Sequence, residues 1–478
     1  MLRLWQDECI TTALLKYQLG QTDFLAMATP GAGKTRMAAH LASRLFDLDK
    51  IDLVICFTPS ISVTNSFQHN LEAITEKRMN GRMGSSGQVL TYHSLSFLCG
   101  SFWDVFQEYR VFVIFDEIHH CGGHDINLAN VWGEKILRNI RSRAAYTLAL
   151  SGTPWRSDKL PIALARYSGD PSKLECDFIY SLTQAIRDGV CRIPKVVAID
   201  NDHIRHTNRA DESEEYSSIG ELLENTDVRY SDLLHHSSIV TFMLQQSVEK
   251  LHSIRQQNPR AAGLIVASSI HHAYWIKALL ATELNQSSIV VSHEDNHAHR
   301  MIEEFEHSDS QWIIAIGMIS EGTNIPRLQL CCYLSRVKTE LYFRQVLGRI
   351  VRAQKEQYPF AYFYTLAEEK LLDYAKRIGD DLPDDLATVE IQQMNIATTV
   401  AHQDSDSNDQ AATELPPPTV HDSATKDATN LTDTIHFGEE STTPEGAVPV
   451  LENNAHLSLS GQFSQELITL QHGFNKAC

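Results

Sequence analysis

The chain has 478 residues and a formal net charge of −19, and 43% of its residues are hydrophobic. This length predicts two or three domains rather than one core, and the sequence contains no run near the ~20 apolar residues of a membrane span, which excludes a membrane-embedded protein. The acidic charge does not exclude a nucleic-acid partner, because 12 Asp and Glu against 2 Lys place −10 of it in residues 401–478.

The amino terminus and the cysteines indicate the compartment. Asp7 and Glu8 interrupt the apolar run that a signal peptide would need. Nine cysteines without a repeating spacing are typical of reduced thiols rather than of a disulfide framework. We therefore expect a cytoplasmic protein that does not bind membranes.

The stretch "ATPGAGKT" (28–35) is the first element that carries chemistry. It follows a short apolar run and precedes a predicted helix, which is the context of a phosphate-binding loop. Gly31 and Gly33 let backbone N–H groups turn toward an anion. Lys34 would place a positive charge on the terminal phosphates, and Thr35 a hydroxyl on Mg²⁺. A Gly-Lys-Thr triplet before a helix also occurs by chance, so this assignment depends on the whole loop and its context.

Near-continuous apolar runs follow at 52–58, 87–93, 111–117 and 146–153. The segments between them are long enough for crossover helices, and this is the pattern of parallel strands that are buried on both faces. Ligands of such sheets bind at the carboxyl ends of the strands. The polar residues that end these runs are therefore candidates for a binding site.

Asp116 and Glu117 end the run "VFVIFDE". In phosphoryl transfer one carboxylate can hold the water shell of a metal ion while a second orients the attacking water. An acidic pair also occurs at solvated strand ends, but a phosphate loop about 80 residues upstream favours the catalytic interpretation. The histidines and the cysteine at 119–121 and 124 lack the paired spacing of a structural zinc site.

The second half of the chain repeats the alternation of helices and strands. Residues 231–258 predict a helix because their apolar residues share one helical stripe. Strands are predicted after it at 261–269, 288–293, 311–317, 328–335 and 360–366.

These patterns predict two parallel-sheet domains joined by a short segment. The predicted boundaries are 1–190 for the first domain, 191–235 for an inter-domain linker, 236–395 for the second domain and 396–478 for an acidic tail. The tail is too polar to bury enough apolar surface to offset its ordering entropy, so we expect most of it to be disordered. Residues 456–474 fit either a short docking helix or a loose tail, and the loose tail is favoured.

Taken in order, short stretches of the chain resemble the motifs of superfamily 2 helicases, the DEAD/DEAH-like group. Besides the phosphate loop and "DEIH" (116–119), the matching stretches are "LRLWQDECI" (2–10), "FTPS" (57–60), "TYHSL" (91–95), "SGTPWR" (151–156), "LIVASSIHHA" (264–273), "IGMISEGTNIPRL" (316–328) and "QVLGRIVRA" (345–353). The first of these resembles the adenine-reading motif of the branch that includes type III restriction helicase subunits and excision-repair helicases. The resemblance covers roughly residues 2–370, and Ala28, Gly152 and Asn324 depart from the usual residues.

The resemblance implies an α/β fold of two RecA-like parallel-sheet domains in tandem, followed by a disordered acidic C-terminal tail. The implied ATP-binding residues are Gln6, Thr29, Pro30, Gly31, Ala32, Gly33, Lys34, Thr35 and Asn324. The implied catalytic residues are Glu117, Gln345, Arg349 and Arg352, and Thr35 and Asp116 would hold Mg²⁺, Asp116 through water. The implied coupling residues are His119, Ser151 and Thr153, and the residues implied to touch the nucleic-acid backbone are Thr58, Thr91, Ser268 and Thr323.

The implied function is ATP hydrolysis coupled to movement along nucleic acid, with DNA favoured over RNA by the resemblance to the restriction and repair branch. Remodelling of RNA, and an ATP-dependent switch that senses nucleic acid without unwinding it, are the alternatives. The presence of Glu117, Arg349 and Arg352 favours a hydrolase over a switch. The two arginines are three residues apart and would share one face if this stretch is helical, with one at the γ-phosphate and the other at the bridging region. The acidic tail is a candidate contact for a protein partner.

Overall fold

A computed structural model describes residues 2–98, 100–122, 130–156, 161–168, 172–208, 211–292, 294–295, 297–317, 325–353, 359–378, 388–389, 456–459 and 462–469. The described residues belong to one compact unit, which comprises 1–389 and 453–478, and the second unit, 390–452, lies outside them. Among the described helices, none combines the length and the apolar character needed to cross a bilayer. The cysteines of the described ranges are free thiols.

Helices and strands alternate along the described chain, with two 3₁₀ turns at Tyr92–Ser96 and Ile118–His120. The strands are β1 (Asp23–Ala28), β2 (Leu53–Thr58), β3 (Gly87–Thr91), β4 (Val111–Asp116), β5 (Tyr146–Ser151), β6 (Arg166–Ser168), β7 (Ser172–Glu175), β8 (Phe178–Tyr180), β9 (Ile193–Asn201), β10 (Ile204–Thr207), β11 (Ser213–Tyr216), β12 (Ala262–Val266), β13 (Ser288–Ser292), β14 (Trp312–Ile316), β15 (Leu328–Tyr333), β16 (Phe360–Leu366), β17 (Thr388–Val389), β18 (His456–Leu459) and β19 (Phe463–Thr469). The helices are α1 (Leu4–Gln18), α2 (Lys34–Asp47), α3 (Ile61–Thr75), α4 (Gly100–Glu108), α5 (Val131–Asn139), α6 (Leu182–Arg187), α7 (Ile219–Asn225), α8 (Tyr230–Leu233), α9 (Ser237–Arg255), α10 (Ile270–Thr282), α11 (Ala298–His307), α12 (Glu340–Ile350) and α13 (Glu369–Lys376).

The first sheet contains six described strands in the order β3-β2-β4-β5-β1-β8, and all of its pairs are parallel. Its strands are almost entirely buried apolar runs, because helices cover a parallel sheet on both faces. Met27 of β1 lies beside Ser151 of β5, and Asp116 of β4 lies beside Leu150 of β5. The carboxyl ends of β1, β4 and β5 therefore meet at one edge, which positions the candidate site.

The second sheet has the strand order β13-β14-β12-β15-β16-β9-β19 in the described residues, and only the pair of β19 with β9 is antiparallel. The helix predicted within 231–258 is present as α9, which buries Ile239, Met243 and Leu251 among other apolar residues. Two tandem RecA-like domains with parallel sheets are thus confirmed.

The predicted linker, 191–235, differs from the structure. Its first part forms β9, which pairs with β16 from Ile193 opposite Phe360 to Ile199 opposite Leu366 and is therefore an integral strand of the second sheet. The stretch "KVVAI" has the apolar character of a buried strand, but its partner lies 167 residues away in the chain. Sequence pattern alone did not connect the two.

The prediction of a loose chain end is wrong at two short segments. β18 pairs with β10, and β19 pairs antiparallel with β9 from Phe463 opposite Asn201 to Thr469 opposite Lys195. The ring of Phe463 also stacks on Phe242, with 4.3 Å between the ring centroids. Backbone pairing to an existing sheet edge explains why so polar a segment is ordered, since strands gain hydrogen bonds there whatever their side chains. The rest of the predicted tail, including 396–455, lies outside the described residues.

Candidate nucleotide site and nucleic-acid interface

The phosphate loop joins β1 to α2 at the carboxyl edge of the first sheet. Gly31 and Gly33 have positive φ angles of 81° and 96°, a backbone region that favours glycine. Lys34 and Thr35 are the first two residues of α2, so the positive end of the helix dipole points at the loop. The amide of Gln6 closes one side of the loop, because a Cβ on Gly33 would lie 2.8 Å from its Nε2.

The remaining loop residues are braced by the protein backbone. The N–H of Thr29 donates to the carbonyl of Tyr180 at 3.1 Å, and the N–H of Ala32 donates to the carbonyl of Thr29 at 3.2 Å. The thiol of Cys191 lies 3.8 Å from the carbonyl oxygen of Pro30. All the loop residues predicted for ATP binding are thus held in one turn at the sheet edge.

Lys34 and Glu117 form an ion pair across the site. The Nζ of Lys34 lies 3.0 Å from Oε1 of Glu117 and donates to the carbonyl of Ala28 at 3.2 Å. Oε2 of Glu117 accepts the N–H of Gly152 at 3.2 Å and the hydroxyl of Ser151 at 3.4 Å. Glu117 adopts left-handed backbone angles, φ 52° and ψ 55°, which are uncommon outside glycine and cluster at functional sites.

The charge of Glu117 follows from these contacts. Desolvation would raise its pKa, but the charges of Lys34 and His119, together with the hydrogen bond from Gly152, outweigh that effect and lower the pKa of Glu117 to about 2. Glu117 is therefore ionised at neutral pH. The preceding Asp116 is buried at the end of β4, and its backbone carbonyl accepts the hydroxyl of Tyr92 at 2.8 Å.

The three residues predicted to couple hydrolysis to strand movement meet at one hydroxyl. Ser151 Oγ lies 2.9 Å from Nδ1 of His119 and accepts the N–H of Thr153 at 3.0 Å. The same hydroxyl contacts Glu117. Arg156 donates to the backbone carbonyl of His119 at 2.7 Å. A change at the carboxylate of Glu117 would therefore act directly on the segment that follows β5.

Arg3 is a site residue that sequence reasoning missed. Gln6 donates through Nε2 to the carbonyl of Gly33 at 2.9 Å and accepts the N–H of Arg3 at 2.9 Å. The guanidinium of Arg3 in turn donates to the carbonyls of Ala32 and Gly31 at 2.6 and 3.3 Å. Its position three residues before Gln6, inside the same short motif, was the available signal.

Arg352 reaches the phosphate loop from the second domain. A Cβ on Gly31 would lie only 2.7 Å from Cγ of Arg352, so glycine at this position leaves room for the arginine stem. Burial, followed by the charge of Arg349, lowers the pKa of Arg352 to about 9, against the attraction of Glu117. Arg352 is therefore still protonated at neutral pH.

The prediction that Arg349 and Arg352 share a helical face is wrong. α12 ends at Ile350 with Val351 as its cap, and Arg352 lies beyond it in an antiparallel bridge with Cys191. Arg349 stands in the last turn of α12 and Gln345 in its middle, both half-buried. Arg352 is positioned by its backbone bridge to Cys191, just before β9, and not by helical spacing.

Arg192 is a second residue that sequence reasoning missed, and no local pattern marks it. Its buried guanidinium donates to the carbonyls of Leu328 and Ile350 at 3.1 Å each, to that of Pro326 at 3.2 Å, and to that of Arg352. Burial lowers the pKa of Arg192 to about 10. Arg192 thus joins the backbone that follows α12 to the start of β15.

The prediction that Thr58 touches nucleic acid requires correction. Its side chain is fully buried, and its hydroxyl lies 2.6 Å from the hydroxyl of Thr64 and 3.4 Å from the carbonyl of Leu90. A buried hydroxyl that is hydrogen-bonded inside the domain cannot reach a phosphate. Ser60, at the same edge, is half-exposed and caps α3 through Val63.

Thr91 and Ser268 stand at strand ends where a backbone contact can occur. Thr91 ends β3, is half-buried, and its hydroxyl lies 3.1 Å from that of Ser94. Ser268 follows β12, and its hydroxyl lies 2.8 Å from Nδ1 of His272 and 3.4 Å from Nε2 of His235. The predicted contacts Thr323 and Asn324 lie outside the described residues.

The chain is similar to known proteins in sequence and in fold. Residues 1–156 match the family described as "Type III restriction enzyme, res subunit". An uncharacterized protein of Mycobacterium leprae is 33% identical over 368 residues, which cover 74% of this chain and 60% of that protein. The "DNA 3'-5' translocase XPB2" of Sulfurisphaera tokodaii is 23% identical over 74% of this chain and 80% of that protein. A fragment of a putative HsdR subunit of a type I restriction enzyme from Vibrio vulnificus has a similar fold, with a TM-score of 0.53 at 14% identity, over 80% of this chain and 67% of that one.

The chain spans about 60% of the length of the mycobacterial relatives that it matches. The family match lies in the first domain, and the fold similarity extends over both sheets. These findings show that residues 1–156 are similar to type III restriction res subunits and that the fold resembles that of the HsdR fragment.

Proposed function

We propose that this chain is an ATP-dependent helicase or translocase that acts on nucleic acid, with DNA favoured over RNA. The proposal depends on one observation, which is that residues of both domains contact each other at the phosphate loop. Lys34 and Glu117 stand at the edge of the first sheet, 3.0 Å apart, and Arg352 of the second domain packs against Gly31 of the phosphate loop. A nucleotide held there would touch both domains, so its hydrolysis would change how they contact each other.

The residues present fit a nucleotide with its metal ion. The glycines of the loop leave backbone N–H groups for phosphates, and Thr35 and Asp116 are the residues that would hold Mg²⁺. Mg²⁺ would neutralise charge on the phosphate oxygens. The fit includes a hydroxyl and a carboxylate, the oxygen ligands that this ion prefers.

The ion pair of Lys34 and Glu117 suggests how the site changes when ATP binds. A γ-phosphate would compete with Glu117 for Lys34, and a released Glu117 could orient the attacking water. Arg349 and Arg352 would stabilise the charge that develops on the transferred phosphoryl group. The hydrogen bonds that link Glu117 through Ser151 to Thr153 would transmit this change to the segment after β5.

Support for DNA comes from relatives. The translocase of Sulfurisphaera tokodaii is named for action on DNA, and the matching family is that of a restriction-enzyme subunit. The described interface residues would contact the sugar-phosphate backbone, which carries no sequence information. We therefore expect binding without sequence preference.

ATP turnover measured alone and with single-stranded DNA, duplex DNA or RNA of equal length tests the proposal. We expect stimulation by DNA, binding whose log K falls linearly with log[salt], and loss of turnover in Lys34→Ala with the fold intact. Stimulation by RNA alone would support RNA remodelling. If neither DNA nor RNA changed the turnover, the helicase proposal would be wrong and an ATP-dependent switch would be favoured.

A further inference from the structure

A tryptophan of the first domain lies against an arginine of the second. Trp155 follows β5, and its ring centroid is 5.4 Å from the guanidinium carbon of Arg344 on α12. Trp155 is 4% exposed, so the contact is shielded from water, and a desolvated cation over a tryptophan face is the strongest form of this interaction. Within the described residues the indole N–H has no hydrogen-bond partner.

The second domain holds Arg344 in one orientation. Its Nε donates to Oε1 of Glu340 at 2.9 Å, and its Nη2 donates to the backbone carbonyl of Arg377 at 2.8 Å. Glu340 is buried and also pairs with Arg377, at 3.1 Å through its other oxygen. Because these hydrogen bonds already fix the guanidinium group, it loses little further conformational entropy when an aromatic ring packs on its face.

The first domain holds Trp155 between two site contacts. On one side, the N–H of Trp155 donates to the carbonyl of Thr153 at 2.8 Å, and the N–H of Thr153 donates to Ser151 Oγ. On the other side, Arg156 donates to the carbonyl of His119. Trp155 is therefore the end of a short chain of contacts that begins at the catalytic carboxylate.

α12 and the residues just after it also touch the phosphate loop, at two points. A Cβ on Gly348 would lie 2.7 Å from Cγ of Pro30, one helical turn after Arg344. The stem of Arg352 lies against Gly31 one turn further along. The tryptophan contact thus lies on the helix whose last turn carries Arg349 and which Arg352 follows, the two arginines proposed to meet the phosphate.

We propose that Trp155 and Arg344 are positioning residues that transmit the state of the catalytic carboxylate to α12 and so place Arg349 and Arg352. This inference rests on the proposed function. Each acts on the rate through the position of α12. Removing the stack should lower nucleic-acid-stimulated ATP turnover about 10- to 30-fold and leave the affinity for a non-hydrolysable ATP analogue within a few-fold.

A double-mutant cycle in the full chain tests the inference. Trp155→Leu and Arg344→Met should each lower stimulated turnover, the double variant should be no worse than either one, and Trp155→Tyr should restore most of the rate because it keeps a ring face. The matched control is Lys250→Met, which removes a cation 4.8 Å from the ring of Tyr362 within the second domain and should leave turnover unchanged. Additive losses, or wild-type turnover in both single variants, would overturn the inference.

Tryptophan fluorescence gives a readout that does not need turnover. Without nucleotide, Arg344→Met should change the emission of the chain, and the same substitution in a Trp155→Phe background should not. Equal spectral changes in both backgrounds would overturn the stack itself. If the spectra behave as expected but ATP is not hydrolysed with any nucleic acid, the proposed function fails while the contact between the domains stands.

Discussion

At the residue scale, Arg352 is the side chain that the second domain presents to the phosphate loop. Arginines in this role contribute on the order of 10³–10⁵ in rate, because the developing phosphoryl charge needs a preorganised cation. We expect Arg352→Ala to lower nucleic-acid-stimulated turnover by orders of magnitude and to leave ATP affinity within a few-fold, as measured by steady-state kinetics and nucleotide titration. Arg110→Ala, which removes exposed ion pairs to Asp49 and Asp52, is the control. Wild-type rates in both Arg349→Ala and Arg352→Ala would refute the two-domain site.

His272 makes stability depend on pH. Burial first, and then the charge of the neighbouring His235, lowers the pKa of His272 to about 3, whereas an unfolded histidine titrates near 6.5. Between these values the unfolded chain binds more protons, so the contribution of His272 is fully present above pH 6.5 and is lost as the pH falls toward 3. We expect the free energy of unfolding to fall by up to about 1.4 kcal/mol per pH unit in this window.

Urea denaturation at pH 7.5 and 5.5 measures this effect. His272→Asn should show a smaller loss of stability between the two pH values than the wild type. The exposed His297→Asn serves as the control and should keep the wild-type difference. If His272→Asn retained the full difference, the buried histidine would not be its source.

At the scale of elements, the approach of α12 to the phosphate loop depends on the absence of a side chain at Gly348. A Cβ there would lie 2.7 Å from Cγ and 2.8 Å from Cβ of Pro30, so Gly348→Ala must move the helix or the loop. Displacement of about 1 Å at a site of this kind can cost on the order of 10²-fold in rate. We expect a loss of that size in stimulated turnover, together with a normal or raised melting temperature, because alanine favours a helix over glycine by about 1 kcal/mol.

The helix α7 offers a matched substitution. A Cβ on Gly220 would meet only Ser218 Oγ at 3.9 Å, so Gly220→Ala should leave turnover unchanged. Equal turnover in Gly348→Ala and Gly220→Ala would show that the contact of α12 with Pro30 does not govern the rate.

At the scale of the whole molecule, the chain end contains the strands β18 and β19 and the residues before them, and two deletions test these parts separately. β19 covers the edge of β9, and Phe463 stacks on Phe242. We expect a chain ending at residue 452 to expose that edge, aggregate more readily and lose at least about 1 kcal/mol of stability from the aromatic contact alone. An internal deletion of 401–448, which keeps both strands, should preserve melting temperature and ATP turnover.

Thermal melting and light scattering of the two deletions compare these expectations. A chain ending at 452 that melts and turns over ATP like the full chain would mean that β19 contributes nothing to the sheet. Loss of turnover in the internal deletion would instead assign a role to residues 401–448.

The sequence by itself determined the local features of this protein. The apolar runs predict β2, β3, β4 and β5 to within a few residues at each end, because alternation of buried strands and helices is a short-range pattern. The loop at 28–35 could be predicted because glycines, a lysine and a threonine at fixed spacing suit one chemical task. The order of the motifs then gave the resemblance to superfamily 2 helicases, which requires only their succession along the chain.

The tertiary structure alone decided which distant residues meet. The membership of β9 in the second sheet depends on a partner 167 residues away, and the pairing of β19 depends on the edge of β9. The burial of Thr58 and the bridge at Arg352 likewise follow from neighbours that no local spacing specifies. The contact of Trp155 with Arg344 joins two domains. Such contacts depend on packing and strand pairing between distant parts of the chain. A periodic pattern of side chains therefore does not predict them.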